Sequence, residues 1–316
     1  MKKFVFFFIV FLIGLNCFSQ NKYSRIDVAV SKFGSLNSSN IATIADTITA
    51  QFSEKEDKAR AIFYWIANNI SIDPKASRSN DKKNTSPADV IRNRKTNALG
   101  FSLLIQEMMS MANIRCLSID GYTKSDIATL NDPIDEPNAS WNVVQLGTSP
   151  DQWFYIDAYS AAGFTDKRFT TFTKEFTSEY FFADRTTFNL NHFPDNISWL
   201  LGPGVKTLKE FYSLPVFSNG AMIAGLQKSN PAKGFIKTKL KSQVQFSFEF
   251  NKDISPKEVI LIAGDYRKPE NPVAVKFTNS ANTISFSHQF KTESDYPVQI
   301  LIDGKLIATY FAEVQE

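Results

Sequence analysis

Residues 95–102, KTNALGFS, read as the start of a helix at which a reactive side chain is expected. Thr96 and Asn97 are good N-caps, and the run LGFSLLIQEMMSMA that follows is apolar on nearly every face, as in a buried central helix. Unpaired N–H groups and the helix dipole stabilise a thiolate at such a start, so this is where proteins place an activated cysteine. The chain carries Ala98 there. Other reactive side chains are few: Cys17, Cys116, His192 and His288 are the only cysteines and histidines. Cys116 lies in the alternating stretch IRCLSIDGY, which reads as a strand holding a buried, inert thiol. Two distant histidines and one buried cysteine supply no ligand cluster, so neither a metal nor a cofactor is expected. Ser102 follows Ala98 by one helical turn on the same face, but a serine needs a base within hydrogen-bond reach to act as a nucleophile.

These residues sit in an ordinary globular composition. The 316 residues are 43% hydrophobic and 21% charged, with 29 Phe and a net charge of +3, which suits one large or two smaller domains and gives no reason to expect nucleic acid as a partner. Lys2 and Lys3 precede an apolar run from Phe4 to Leu15, followed by NCFSQ, which is the layout of a secretory signal peptide (residues 1–20). The run is too short for a bilayer span, which takes about 20 residues. Cleavage is expected near Gln20, giving a periplasmic or secreted chain with no integral membrane span. Cys17 offers a lipid-anchored alternative, against which the bulky Asn16 argues. Loss of the leader leaves Cys116 alone, so no intrachain disulfide can form.

Helical patterning runs from Tyr23 to about Ala76, through NIATIADTITAQF and EKEDKARAIFYWIANNI, with Ser53 and Glu56 spaced as a capping box. RSNDKKNTSPA (78–88) is a polar loop before the central helix. Ile114–Tyr122 reads as a strand, the proline-bearing DIATLNDPIDEPNA as a loop, and SWNVVQL and DQWFYIDAY as two further strands. Helices followed by an antiparallel sheet make an α+β core over residues 21–169. Residues 170–219 form an aromatic, irregular connector packed on that core. From 220 to 316 the texture changes to seven short alternating runs (GFIKTKL, VQFSFEF, EVILIAG, VAVKFT, TISFSHQF, YPVQILID, KLIATYF), which predict an immunoglobulin-like β-sandwich with a junction near Ser218-Asn219-Gly220.

Three blocks in order, KARAIFYWIANNISID (58–73), KTNALGFSLLIQEM (95–108) and NASWNVVQL with QWFYIDAYS (138–160), resemble the transglutaminase-like, papain-related superfamily. The stretch YFFADRTTFNLNHFPDNISWLL resembles the segment that joins core to tail in exported bacterial members related to kyphoscoliosis peptidase. The resemblance implies a papain-like core and a Cys-His-Asp triad in which the thiolate attacks an amide, the imidazole shuttles the proton, and the carboxylate orients the imidazole. It places the cysteine on Ala98, the histidine on Ala139 and the aspartate on Asp157. Two of the three groups are alanine, so the expectation is a catalytically inactive scaffold. Asp157, left without an imidazole, is expected to cap or bond backbone, and His192 to be structural. Asn97, Ser102, Trp141, Asn142 and Asp157 are the candidate ligand contacts in a degenerate cleft that would accept a peptide, a protein or a cell-envelope polymer. The alternatives are a hydrolase or acyl-transferase with a relocated catalytic group, and a structural envelope protein working through its sandwich.

Overall fold

The structure is a computed structural model that describes residues 22–147, 152–264 and 272–316. The leader, its cleavage near Gln20 and Cys17 lie outside the described residues. The fold is α+β. Helices Ser24–Ser31, Ile41–Thr49 and Lys55–Asn69 gather beside the central helix Ala98–Met111, which lies against one face of a four-stranded antiparallel sheet. The strand order across that sheet is Trp153–Ile156, Ala139–Gln145, Arg115–Thr123, His192–Pro194.

The central helix starts where the sequence places it. Asn97 is the N-cap, and its side chain accepts from Gly100 N. Thr96 instead belongs to a two-residue strand paired with Ile72. Gly100 is required here, because a Cβ at this position would lie 2.0 Å from Thr96 Oγ1. On the sheet, Gly121 leaves room for the indole of Trp141, which a Cβ would meet at 2.3 Å.

Other local readings are corrected by long-range partners. The capping box at Ser53 and Glu56 does not form: helix Lys55–Asn69 has Glu54 as N-cap with no side-chain cap bond, while Glu56 accepts from Lys22 and Tyr23 Oη. The polar loop at 78–88 is shorter than expected, since helix Pro87–Asn93 follows Ser86, whose hydroxyl accepts from Asp89 N. The connector is less irregular than its composition suggests, with helices Arg185–Asn191 and Leu208–Ser213 and strand His192–Pro194, which completes the core sheet.

The C-terminal part is a sandwich. One sheet runs in the order Leu226–Asn230, Gln243–Phe250, Thr283–Gln289, Phe277–Ser280; the other runs Phe235–Lys239, Lys305–Gln315, Ser294–Ile302, Val259–Ala263, Val273–Ala274. Leu226–Asn230, too polar to read as a strand from sequence, owes its conformation to pairing with Gln243–Phe250. The expected junction at Ser218-Asn219-Gly220 moves toward the N-terminus. Val216–Phe217 pairs with Thr309 and Ala308, and Phe217 and Ala221 are buried in the sandwich core, so the sandwich begins before residue 218.

Candidate functional site

Ala98 is the first residue of the central helix, and Ala139 opens strand Ala139–Gln145; both are half-buried. Two consecutive residues of the loop after helix Pro74–Ser79 tie their surroundings together. Asn97 Nδ2 donates to the Asp81 carbonyl at 2.7 Å, and Asn80 Nδ2 donates to the Pro137 carbonyl at 2.9 Å. The loop therefore straps the helix start to the approach of the strand.

Asp157 ends strand Trp153–Ile156 and caps helix Ala158–Ala162. Its Oδ1 accepts from Ser160 N at 2.9 Å and its Oδ2 from Ser160 Oγ at 2.6 Å, as expected for a cap. It is not, however, without an imidazole. His192 Nε2 lies 3.1 Å from Asp157 Oδ2, with both residues buried, and Nδ1 lies 3.3 Å from the Phe188 carbonyl. The pairings Gly121↔Ala139 and Thr123↔His192, combined with strand alternation, put Ala139, Trp141 and His192 on one sheet face. There the His192 ring stacks on Phe188 at 3.9 Å and meets the edge of Trp141 at 5.2 Å. Burial and the Asp157 charge raise the pKa of the neighbouring Tyr180.

The opposite sheet face carries a separate polar cluster under the helix. Asn142 Nδ2 donates to the Ser102 carbonyl at 2.9 Å, and the Ser102 and Ser118 hydroxyls are 2.6 Å apart. Ser102 thus has a hydroxyl for a neighbour and no imidazole. Cys116 is part of the same layer, and burial pushes its thiol pKa up, so it stays protonated and inert as expected.

All five candidate ligand contacts, Asn97, Ser102, Trp141, Asn142 and Asp157, are buried. Two cavities lie elsewhere: one of about 220 Å³ between the connector and the sandwich, and one of about 430 Å³ at the sandwich edge. Among the described residues, no group of three His, Cys, Asp or Glu is placed to hold a metal ion, and no helix is long and apolar enough to cross a membrane.

Residues 42–158 match the transglutaminase-like superfamily core. This segment is similar to the core of that superfamily. The chain is 26% identical over 217 residues to kyphoscoliosis peptidase of Mus musculus, across 68% of this chain and 32% of that protein. The Homo sapiens kyphoscoliosis peptidase matches at 25% over 218 residues, covering 69% and 32%. Lim and transglutaminase domain protein ltd-1 of Caenorhabditis elegans matches at 23% over 208 residues, covering 61% and 28%. The chain therefore spans about a third of the length of the curated relatives it matches.

The matched segment includes Ala98, Ala139 and Asp157, whereas His192 comes from the connector beyond it. Reading the residues in isolation missed that histidine as the aspartate's partner. The connector was expected to pack on the core and His192 to be structural, but neither expectation paired it with Asp157.

Proposed function

We propose that the chain is a catalytically inactive transglutaminase-like protein, exported through its apolar leader, that works as a binding or scaffolding module for a peptide, a protein or a cell-envelope polymer. The observation that carries this reading is the pair Ala98 and Ala139. Neither a thiol nor an imidazole stands where the superfamily's mechanism needs them, and losing either member of such a triad costs many orders of magnitude in rate.

Among the described residues, His192, Ser160 and Ser102 are each engaged in other contacts, which supports this reading. His192 is 2% exposed, and its neighbours Asp157, Phe188 and Trp141 enclose it, so it has no open side for a substrate. Ser160 donates to the carboxylate rather than to an imidazole, and Ser102 faces Ser118. A general base must reach the proton that it removes.

The test is a pair of assays on the purified mature chain: peptide cleavage, and amine incorporation into a glutamine-bearing protein. Both are expected to stay at background. Turnover that survives repurification and vanishes on a single substitution would overturn the reading. For the binding role, Ala98→Trp and Ala139→Trp fill the space between strap and strand, and each is expected to abolish retention of envelope components while leaving the thermal transition in place. Intact mass of the exported chain tests the leader, with a mature start near Asn21 expected.

A further inference from the structure

The sandwich carries a second surface that the cleft reading does not use. Among the described residues, strand Phe235–Lys239 is the edge of the larger sheet, paired on one side, in parallel, with Lys305–Gln315. Phe311 N donates to Gly234 O and Leu240 N to Gln315 O, so the even-numbered residues turn their backbone groups toward that neighbour. By the two-residue period of a strand, the N–H and C=O groups of Phe235 and Lys237 point outward, away from the sheet. The facing edge of the other sheet is open in the same way. Strand Gln243–Phe250 is covered by Leu226–Asn230 only from Ser247 onward, and the Gln245 carbonyl, which accepts from Asn230 Nδ2, shows that the odd-numbered residues face the gap. Between these two edges lies the groove of about 430 Å³, lined among others by Phe235, Lys237, Gln243, Val244 and Gln245.

Charge distinguishes this edge. Lys233 before the strand, Lys237 and Lys239 on it and Lys241 in the turn after it are all exposed. Glu313 pairs with Lys237 at 3.1 Å and is the cross-strand neighbour that answers it; Lys239 stands opposite the uncharged Gln315. Ile236 points inward and is buried, while Phe235 and Val244 remain half-exposed. Lysines on an edge also deter two such edges from pairing, because like charges would then face each other. The same lysines favour a strand of opposite charge.

From this geometry we propose that the Phe235–Lys239 edge is a β-augmentation site for an extended acidic peptide segment of a partner protein. Main-chain hydrogen bonds to Phe235 and Lys237 supply the attachment, and side chains supply the selectivity. Because cross-strand neighbours share a face, the bound segment alternates: acidic residues lie beside Lys237 and Lys239, and apolar residues lie beside Ile236 at the mouth of the groove.

The experiment uses the full mature chain and two fluorescein-labelled seven-residue peptides, one alternating glutamate with valine and the other lysine with valine, read by anisotropy. The glutamate peptide is expected to bind saturably and at least tenfold more tightly than the lysine peptide, and to weaken as salt rises. Lys237→Glu combined with Lys239→Glu should reverse the preference. Lys237→Pro removes an outward N–H at an edge position that tolerates proline, and should abolish binding while the thermal transition is retained. Equal affinity for both peptides, binding untouched by both variants, or no saturable binding overturns the proposal. So does sedimentation showing that the unliganded chain dimerises through this edge. None of these outcomes bears on Ala98 or Ala139, so the cleft reading stands or falls separately.

Discussion

The start of the central helix and the joint between core and connector hold opposite kinds of residue. At the helix start, Ala98 and Ala139 carry no polar side-chain group, and the buried Asn97 and Ser102 nearby bond a backbone carbonyl and a hydroxyl. At the joint, charged and titratable groups are buried. Arg60 is 0% exposed; its Nε and Nη2 donate to Asp27 at 2.8 and 2.7 Å, and Nη2 donates also to Ser178 Oγ. The rings of Tyr23, Phe63, Phe176 and Phe181 surround its guanidinium. Lys124 is 3% exposed and donates to the carbonyls of Phe211, Leu214 and Pro215. His192 completes the set at Asp157. Buried charge is costly unless it is paired, and it persists where it fixes an arrangement. In enzymes, such groups concentrate in the active site. Among the described residues of this chain they gather where the connector is fastened, and the Asp157 carboxylate serves that attachment through His192.

The largest effect should come from the joint. Arg60→Leu strands the Asp27 carboxylate and removes the contact to Ser178, and is expected to destabilise the core by about 3–5 kcal/mol. Urea denaturation followed by tryptophan fluorescence measures this. Asp27→Leu in the same background should recover part of the loss, because an apolar pair replaces an orphaned charge. An Arg60→Leu midpoint unchanged from wild type would mean that the joint is not where stability resides.

Next in size is the aspartate–histidine contact. His192→Ala and Asp157→Ala each remove one partner of a buried hydrogen bond, at an expected cost of about 1–3 kcal/mol. The double-mutant cycle should give a coupling of about 1 kcal/mol or more, as for residues in direct contact. A coupling near zero would break the comparison from the other side, by leaving Asp157 as a helix cap alone.

That contact also marks how far sequence reasoning reaches. The cap at Asn97, the strand at Arg115–Thr123 and the change of texture into the sandwich were legible because each rests on local spacing and alternation. The pairing of His192 with Asp157 spans 35 residues and that of Arg60 with Asp27 spans 33, and neither leaves a local pattern. The same cause undid the capping box. Glu56 has the right spacing from Ser53, but Lys22 and Tyr23, brought in from just ahead of helix Ser24–Ser31, take its carboxylate. Strand Leu226–Asn230 was invisible for a related reason, since its conformation is imposed by its neighbour.

Lys124 sharpens the comparison through pH. Burial pushes its pKa down to about 7, while three carbonyl acceptors match the three donors of the ammonium form and oppose that shift. With the folded pKa below the unfolded value of 10.5, the unfolded chain binds more protons between about pH 7 and 10.5, so stability rises with pH across that window and the penalty is full below it. Full expression of that shift would be worth about 3–4 kcal/mol between pH 7 and 10; because the carbonyls return part of it, wild type should gain on Lys124→Met by an amount on the order of 1–2 kcal/mol. Subtracting the two denaturation profiles cancels every other titrating group. A flat difference would show that the carbonyls hold the ammonium at its ordinary pKa.

The smallest effect is expected at the helix start itself. Ala98 is the first residue of the helix and half-buried, and Asn97 provides the cap independently of the side chain at 98, so Ala98→Cys should change stability by no more than about 0.5 kcal/mol. The helix start should lower the pKa of the new thiol, and its alkylation by iodoacetamide should outpace that of buried Cys116. Faster alkylation is not turnover. On the proposed reading the introduced thiolate has Ala139 in place of a base, and His192 is enclosed against Asp157, so protonation of a leaving amine is not expected. Peptide cleavage by Ala98→Cys is accordingly expected to remain at background even though the thiol reacts with small electrophiles. If this single substitution produced cleavage that a further His192→Ala abolished, the buried histidine would be a base within reach of the helix start, and the contrast between an emptied site and a charged joint would collapse into one site.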